Sequence, residues 1–126
     1  MARYLLDTGV VIRHLRGRSE VVTLMRGLGK AERLGVATIT RLEVHAGMRP
    51  EERYRTRKLL SRLISYDLDR EIADRAGDLV REHRARGIAL EVPDAIIAAT
   101  AMANNLTLVT LNPRHFPMPG LKVYSP

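Results

Sequence analysis

Four short apolar runs, none longer than five residues, alternate with stretches of helical spacing, and that alternation constrains the fold more than any other feature of the chain. The runs are Arg3–Leu6 (RYLL), Val36–Ile39 (VATI), Thr107–Leu111 (TLVTL) and Leu121–Tyr124 (LKVY). Short apolar strands separated by helices imply a parallel sheet covered on both faces, since a parallel crossover carries its helix over the sheet. The intervening segments supply those helices. Val11, Ile12 and Leu15 keep helical spacing from Thr8 to Gly17, and Val21, Val22, Leu24, Met25 and Leu28 do so after Ser19. A third helix starts at Thr40, carries Leu42, Glu43, Val44 and Ala46, and closes at Gly47. Beyond Pro50 the pattern predicts two long charged helices, Glu51–Leu63 and Asp69–Arg86, the second apolar at Ile72, Ala76, Leu79 and Val80. Pro93 opens a last, almost wholly apolar helix that ends at Asn104–Asn105. No repeat or linker interrupts this order, so the 126 residues read as one α/β domain, 1–126.

Charge narrows the partners. Lys and Arg number 21 against 14 acids, a net charge of +7, and the segment Arg49–Arg62 (RPEERYRTRKLLSR) carries +4 of it. A cationic stretch of this kind suits a polyanion, because neutralised phosphates release condensed counterions; a solvated helix face that keeps the protein soluble would look the same. With one Phe, four Tyr and no Trp, a base-stacking platform is not expected, and contact should run mainly to backbone phosphates. Cysteine is absent, which excludes disulfides, thiol catalysis and cysteine-ligated zinc. MARYLLD reaches an acid after two leucines and does not read as a signal peptide. The uncharged run Ala95–Pro113 is broken by Asn104, Asn105, Asn112 and threonines, so helix plus strand fits it better than a membrane span. A soluble, cytoplasmic protein is the expectation.

Three acids stand at positions where this architecture gathers ligands. Asp7 follows the first strand, Glu43 lies in the helix leaving the second, and Asp94 heads the helix before the third. In open α/β sheets the ligand site lies outside the carboxyl ends of the strands. Each acid is flanked by apolar residues, and half-buried carboxylates brought together repel unless a cation sits between them. Oxygen-only donors with no cysteine and no HExxH point to Mg²⁺ or Mn²⁺. Each acid also has a structural reading. Asp7 and Asp94 could cap helices, and Thr40-Arg41-Leu42-Glu43 matches a capping box.

The stretches YLLDTGVVI, ATITRLEVHAG, VPDAIIAATAMANNLTLVTLN and the closing HF decide between these readings. Taken in this order and spacing, the chain resembles the PIN-domain ribonucleases, and within them the VapC-type toxins of toxin–antitoxin pairs, over essentially its whole length. The resemblance implies a PIN-like three-layer α/β fold with a short central parallel sheet flanked by helices. It implies that Asp7, Glu43 and Asp94 bind a divalent metal, Mg²⁺ with Mn²⁺ as the alternative, and that Thr8 and Thr110 are supporting polar residues. The fourth motif departs from the family pattern: TLNPRHF offers Asn112 and His115 where many members carry an aspartate. Asn112 can give an oxygen to a metal or its water, without charge. His115 can hold a phosphate, orient a water or cap the turn. Three charges rather than four favour a single metal.

The implied activity is endoribonucleolytic cleavage by a metal-activated water, leaving a 5′-phosphate and a 3′-hydroxyl. Single-stranded or loop RNA, such as that of tRNA, fits better than duplex, because a cleft must reach one backbone bond. Arg13, Arg16, Arg49, Arg53, Arg57 and Lys58 are the candidate RNA-binding residues. The resemblance further implies a VapB-type antitoxin as partner and a homodimer. Two rivals remain open on the sequence. One is a catalytically weakened PIN domain acting as an RNA-binding or adaptor module. The other is an α/β phosphotransfer domain with Asp7 as nucleophile, which lacks the DxD or partnered lysine it would need. His14, His45 and His83 show no paired metal-ligand spacing and read as surface or boundary residues.

Overall fold

The computed structural model describes residues 2–30 and 32–126. Its centre is a five-stranded sheet formed by β1 (Tyr4–Leu6), β2 (Gly35–Ala37), β3 (Ile64–Tyr66), β4 (Thr107–Val109) and β5 (Val123–Tyr124), in the order β3-β2-β1-β4-β5. Every pairing is parallel. The helices are α1 (Thr8–Leu15), α2 (Ser19–Leu28), α3 (Thr38–Gly47), α4 (Arg53–Ser61), α5 (Arg70–Ala85) and α6 (Val92–Ala103).

The layers follow from the two-residue alternation of the strands. Leu5 and Leu108 are register partners in β1 and β4 and turn to one face, where they pack with Ile72 and Ala76 of α5 and Ile97 and Ala98 of α6. Their neighbours Leu6 and Val109, also register partners, turn with Val36 to the other face. There they meet Val10, Val21, Met25 and Leu60 of α1, α2 and α4. The result is the expected three-layer α/β arrangement. Leu5, Leu6, Leu108 and Val109 have no exposed surface, and burying a side chain of that size contributes about 1.5–3 kcal/mol. The apolar character of α6 has the same origin: Ala95, Ile97, Ala98, Ala99, Thr100 and Ala101 are all buried. Asn105, at φ 53°, ends that helix in a left-handed turn, at the predicted place.

Strand order reverses direction between β1 and β4. From β1 the chain moves outward through β2 to β3, then returns over α5 and α6 to β4 on the other side of β1. The carboxyl ends of β1 and β4 are therefore a topological switch point, where such sheets open a crevice.

Several boundaries differ from expectation. β3 was not anticipated: Ile64-Ser65-Tyr66 is only three residues long, at a sheet edge and only partly buried, so it lacks the apolar signal of a central strand. β2 runs Gly35–Ala37 rather than Val36–Ile39, and α3 begins at Thr38 rather than Thr40. The β-branched run VATIT favours extension locally, but packing of α3 against α1 and α6 overrides that preference. The predicted helix Glu51–Leu63 resolves into a 3₁₀ turn, Pro50–Glu52, followed by α4. β4 and β5 are each shorter than predicted, releasing Thr110 and Leu111 beyond the end of β4. Among the described residues no helix is long and apolar enough to cross a membrane.

Candidate active site

Asp7 is the first residue beyond β1, pinned by its backbone N–H to the Val109 carbonyl at 2.9 Å. One carboxylate oxygen accepts the Thr8 N–H at 2.8 Å, so Asp7 does cap α1. The other accepts the Thr110 hydroxyl at 2.7 Å. Thr110 is completely buried, and its hydroxyl in turn accepts the Asn112 N–H at 3.0 Å. These bonds hold the largely buried Asp7 carboxylate in one orientation at the switch point. A carboxylate has about four lone-pair sites, so two are left for another cation or donor.

Glu43 reaches the same place from α3. Its Oε1 accepts the Thr8 hydroxyl at 2.7 Å. That bond uses the only hydroxyl proton of Thr8, so the buried Thr40 hydroxyl, 2.9 Å away, must donate to Thr8. Thr8 thus ties two acids together, Asp7 by its backbone and Glu43 by its side chain. The capping-box reading of Thr40–Glu43 is overturned: Ala37 is the N-cap of α3, and Thr40 is its third residue. Thr40 is the site residue that sequence reasoning missed. Its signal was present in the spacing, since residues three apart on a helix share a face with each other.

Asp94 is the third residue of α6, whose first turn opens at the carboxyl edge of the sheet because the helix descends to the start of β4. Glu91 holds the cap position and makes no side-chain capping bond. The neighbour of Asp94 is His115, with Nδ1 3.6 Å from Oδ2, too long for a hydrogen bond. Burial raises the Asp94 pKa above the usual carboxylate value, and repulsion from Asp7 raises it further. His115 works in the opposite direction, and Glu43 and Glu91 add smaller increases. Asp7, Glu43 and Asp94 are therefore one electrostatic cluster.

Donor chemistry fits a hard divalent cation, because carboxylate and hydroxyl oxygens predominate at this edge, with the His115 imidazole as the nitrogen donor beside Asp94. As the side chains stand, no group of three His, Cys, Asp or Glu residues among the described residues is close enough to hold a metal ion. Closing all three acids on one ion requires side-chain rotation, chiefly of Glu43 and Asp94, which are less firmly tied than Asp7.

The remaining predicted residues separate into two sets. Asn112 is exposed and caps the 3₁₀ turn Pro113–His115; its described hydrogen bonds run through its backbone. Of the two, His115 is the one whose side chain stands beside an acid, Asp94. Among the cations, Arg13 lies back along α1, where a Cβ added to Gly9 would stand 3.2 Å from its guanidinium. Arg16 and Arg49 line one groove of about 450 Å³ with Ile12, Val44 and Met48, between α1, α3 and the start of α4. Arg53, Arg57 and Lys58 surround a second, more open hollow on α4 together with Tyr54.

An open parallel sheet with three tethered or mutually repelling carboxylates near its switch point defines an α/β protein with an acidic cleft. A family profile described as "PIN domain" matches residues 4–119. The chain belongs to the PIN-domain family. It is 36% identical over 114 residues to the ribonuclease VapC10 of Mycobacterium tuberculosis, covering 90% of this chain and 86% of that protein. Among solved structures, a DNA-bound VapBC from Salmonella typhimurium superposes with a TM-score of 0.87 at 26% identity, covering 99% of this chain and 98% of that one. A toxin–antitoxin complex from Klebsiella pneumoniae superposes with a TM-score of 0.81 at 32% identity, covering 96% and 95%.

Proposed function

We propose that the chain is the ribonuclease toxin of a VapBC-type toxin–antitoxin pair, an endonuclease that hydrolyses RNA phosphodiester bonds with Mg²⁺, or Mn²⁺ in its place. The observation that carries this reading is the convergence of Asp7, Glu43 and Asp94 at the switch point, with Thr8 and Thr110 holding the first two. The ribonuclease relative and the toxin–antitoxin neighbours support it.

In this reading residues 1–126 act as one PIN domain. Asp7, Glu43 and Asp94 would hold the ion, and Asn112, linked to the cluster by its backbone N–H on Thr110, has an uncharged side-chain oxygen to offer. A divalent ion bound there supplies the positive charge that polarises the scissile phosphate and acidifies a water. The carboxylates act as ligands and water-orienters, and no side chain is the nucleophile. Thr110 and Thr8 tether Asp7 and Glu43 at the cleft, so that only side-chain rotation separates the donor set from closure on an ion. His115 stands beside Asp94, where it can orient a water or hold a phosphate oxygen. Arg13 flanks the cleft, while Arg16, Arg49, Arg53, Arg57 and Lys58 offset the repulsion between acidic cleft and polyanionic substrate. Single-stranded or loop RNA, such as that of tRNA, can present one backbone bond to the cleft. A cytoplasmic location, a VapB-type antitoxin and a homodimer complete the reading.

The test is cleavage of an end-labelled total-RNA pool with Mg²⁺ or Mn²⁺, beside an EDTA control and the Asp94→Asn variant. Cleavage that needs the metal and disappears in the variant is the expected result. RNA binding without cleavage under either metal would instead identify a weakened PIN domain acting as an RNA-binding module.

A further inference from the structure

We propose that Tyr54 is a stacking platform for a base of single-stranded RNA, built into the cationic face of α4. The inference rests on the RNA-cleaving reading above and adds an interaction with the bases themselves.

Tyr54 is 74% exposed, more than any other large apolar side chain among the described residues. α4 packs inward through Thr56, Leu59 and Leu60, and Tyr54 lies on the opposite side of the helix. The core therefore has no use for the ring. Its neighbours are mainly cations instead: Arg53, Arg57 and Lys58 share its open hollow with Pro50 and a single acid, Glu51, and the Lys58 ammonium stands 5.9 Å from the ring centroid. None of these cations pairs with a carboxylate among the described residues; the ion pairs found there are Arg81 with Asp78 and His115 with Asp94. A flat, exposed ring bordered by unpaired cations is what a single-stranded polyanion with planar bases recognises. A base laid on the ring displaces Lys58 from it and leaves the ammonium free to meet an adjacent phosphate. The exchange is favourable, because an exposed cation–π pair is weaker than a base stacked on an aromatic ring.

The location suits substrate passing the cleft. α3 carries Glu43 one helical turn before its end at Gly47, and the groove shared by Arg16, Arg49 and Thr56 joins that end to α4. A second copy of this chain is a poor occupant. Two-fold contact through this face would set the same cations against one another, and the surrounding segment carries +4. The scarcity of aromatic residues hides such a platform from composition, but one exposed ring suffices for one base.

The chain contains no tryptophan, so Tyr54→Trp places a single reporter on the surface. The metal-free Tyr54→Trp protein is titrated with a single-stranded RNA oligomer, an abasic oligomer of equal phosphate number, and polyglutamate. The fluorescence should be quenched by the RNA and not by the other two. In parallel, anisotropy of labelled RNA should show Tyr54→Ala binding about five- to tenfold more weakly. The salt dependence should be unchanged in that variant, and Tyr54→Phe should bind as wild type. Arg57→Ala should lower the salt slope by about 1. Equal quenching by the abasic oligomer, quenching by polyglutamate alone, or Tyr54→Ala binding RNA as tightly as wild type overturns the platform. If wild type binds and cleaves RNA while Tyr54→Ala binds it equally well, only this inference fails. If wild type neither binds nor cleaves, the ribonuclease reading fails with it.

Discussion

Replacing Thr110 by valine preserves shape and removes one hydroxyl from the centre of the cleft. The side chain is fully buried, donates to Asp7 at 2.7 Å and accepts the Asn112 N–H at 3.0 Å. Loss of a hydrogen bond to a charged partner costs about 1.5–3 kcal/mol, and the orphaned N–H about 1 kcal/mol more. The extra buried methyl group of valine returns about 0.8 kcal/mol. The net loss is about 2 kcal/mol. Unfolding entropy for 126 residues is about 0.26 kcal/mol/K, so the melting temperature should fall by about 8 °C. Urea denaturation and thermal melts in EDTA measure this without interference from metal. Thr110→Ser keeps the hydroxyl and should recover most of the loss. RNA cleavage by Thr110→Val should drop about tenfold or more, because Asp7 loses one of its two donors and its fixed orientation. A valine variant that melts with wild type, or a serine variant that falls as far as valine, would refute the claim that this hydroxyl positions Asp7.

Thr8→Val should leave Asp7 capped through the backbone but free Glu43 and orphan the buried Thr40 hydroxyl, costing about 1–2 kcal/mol and about 10–100-fold in cleavage. Recovery of both losses in Thr8→Ser is expected, and a serine variant as slow as the valine one would show that the hydroxyl is not the cause. For Asp94, burial and then repulsion from Asp7 raise the folded pKa above the usual 3.8. Its contribution to stability is then fully present below the unfolded value and lost as pH rises through the folded one. Metal-free wild type should lose more stability across that window than Asp94→Asn, read as urea midpoints in EDTA at successive pH values. Affinity for a divalent ion should weaken as pH falls through the same window, measured by the metal-induced rise in melting temperature. Identical pH slopes in the two proteins would show that Asp94 is not held in a repelling acid cluster.

Apart from β3, the order of strands and helices was legible because apolar periodicity reports local geometry. The helix Ser19–Leu28 stands where its spacing put it, and Asn105 ends α6 as an asparagine in the left-handed region can. The acids themselves were legible too: Asp7, Glu43 and Asp94 stand out in the sequence as carboxylates flanked by apolar residues. Other features depend on what lies across the fold. β3 is defined by its pairing with β2, not by its own half-exposed residues. Thr40 looked like a cap because its local sequence fits one. It became a donor to Thr8 only when packing moved the start of α3 and brought two hydroxyls from positions 32 residues apart to 2.9 Å. The sequence by itself determined which residues carry charge, hydroxyl or apolar surface, and the period in which they recur, because these are properties of single side chains and their near neighbours. Only the tertiary structure decided that Asp7, tied to a threonine 103 residues away, shares its field with Glu43 and Asp94. Hydrogen bonding and Coulomb repulsion act through a few ångströms of space, and spacing along the chain carries no measure of that distance.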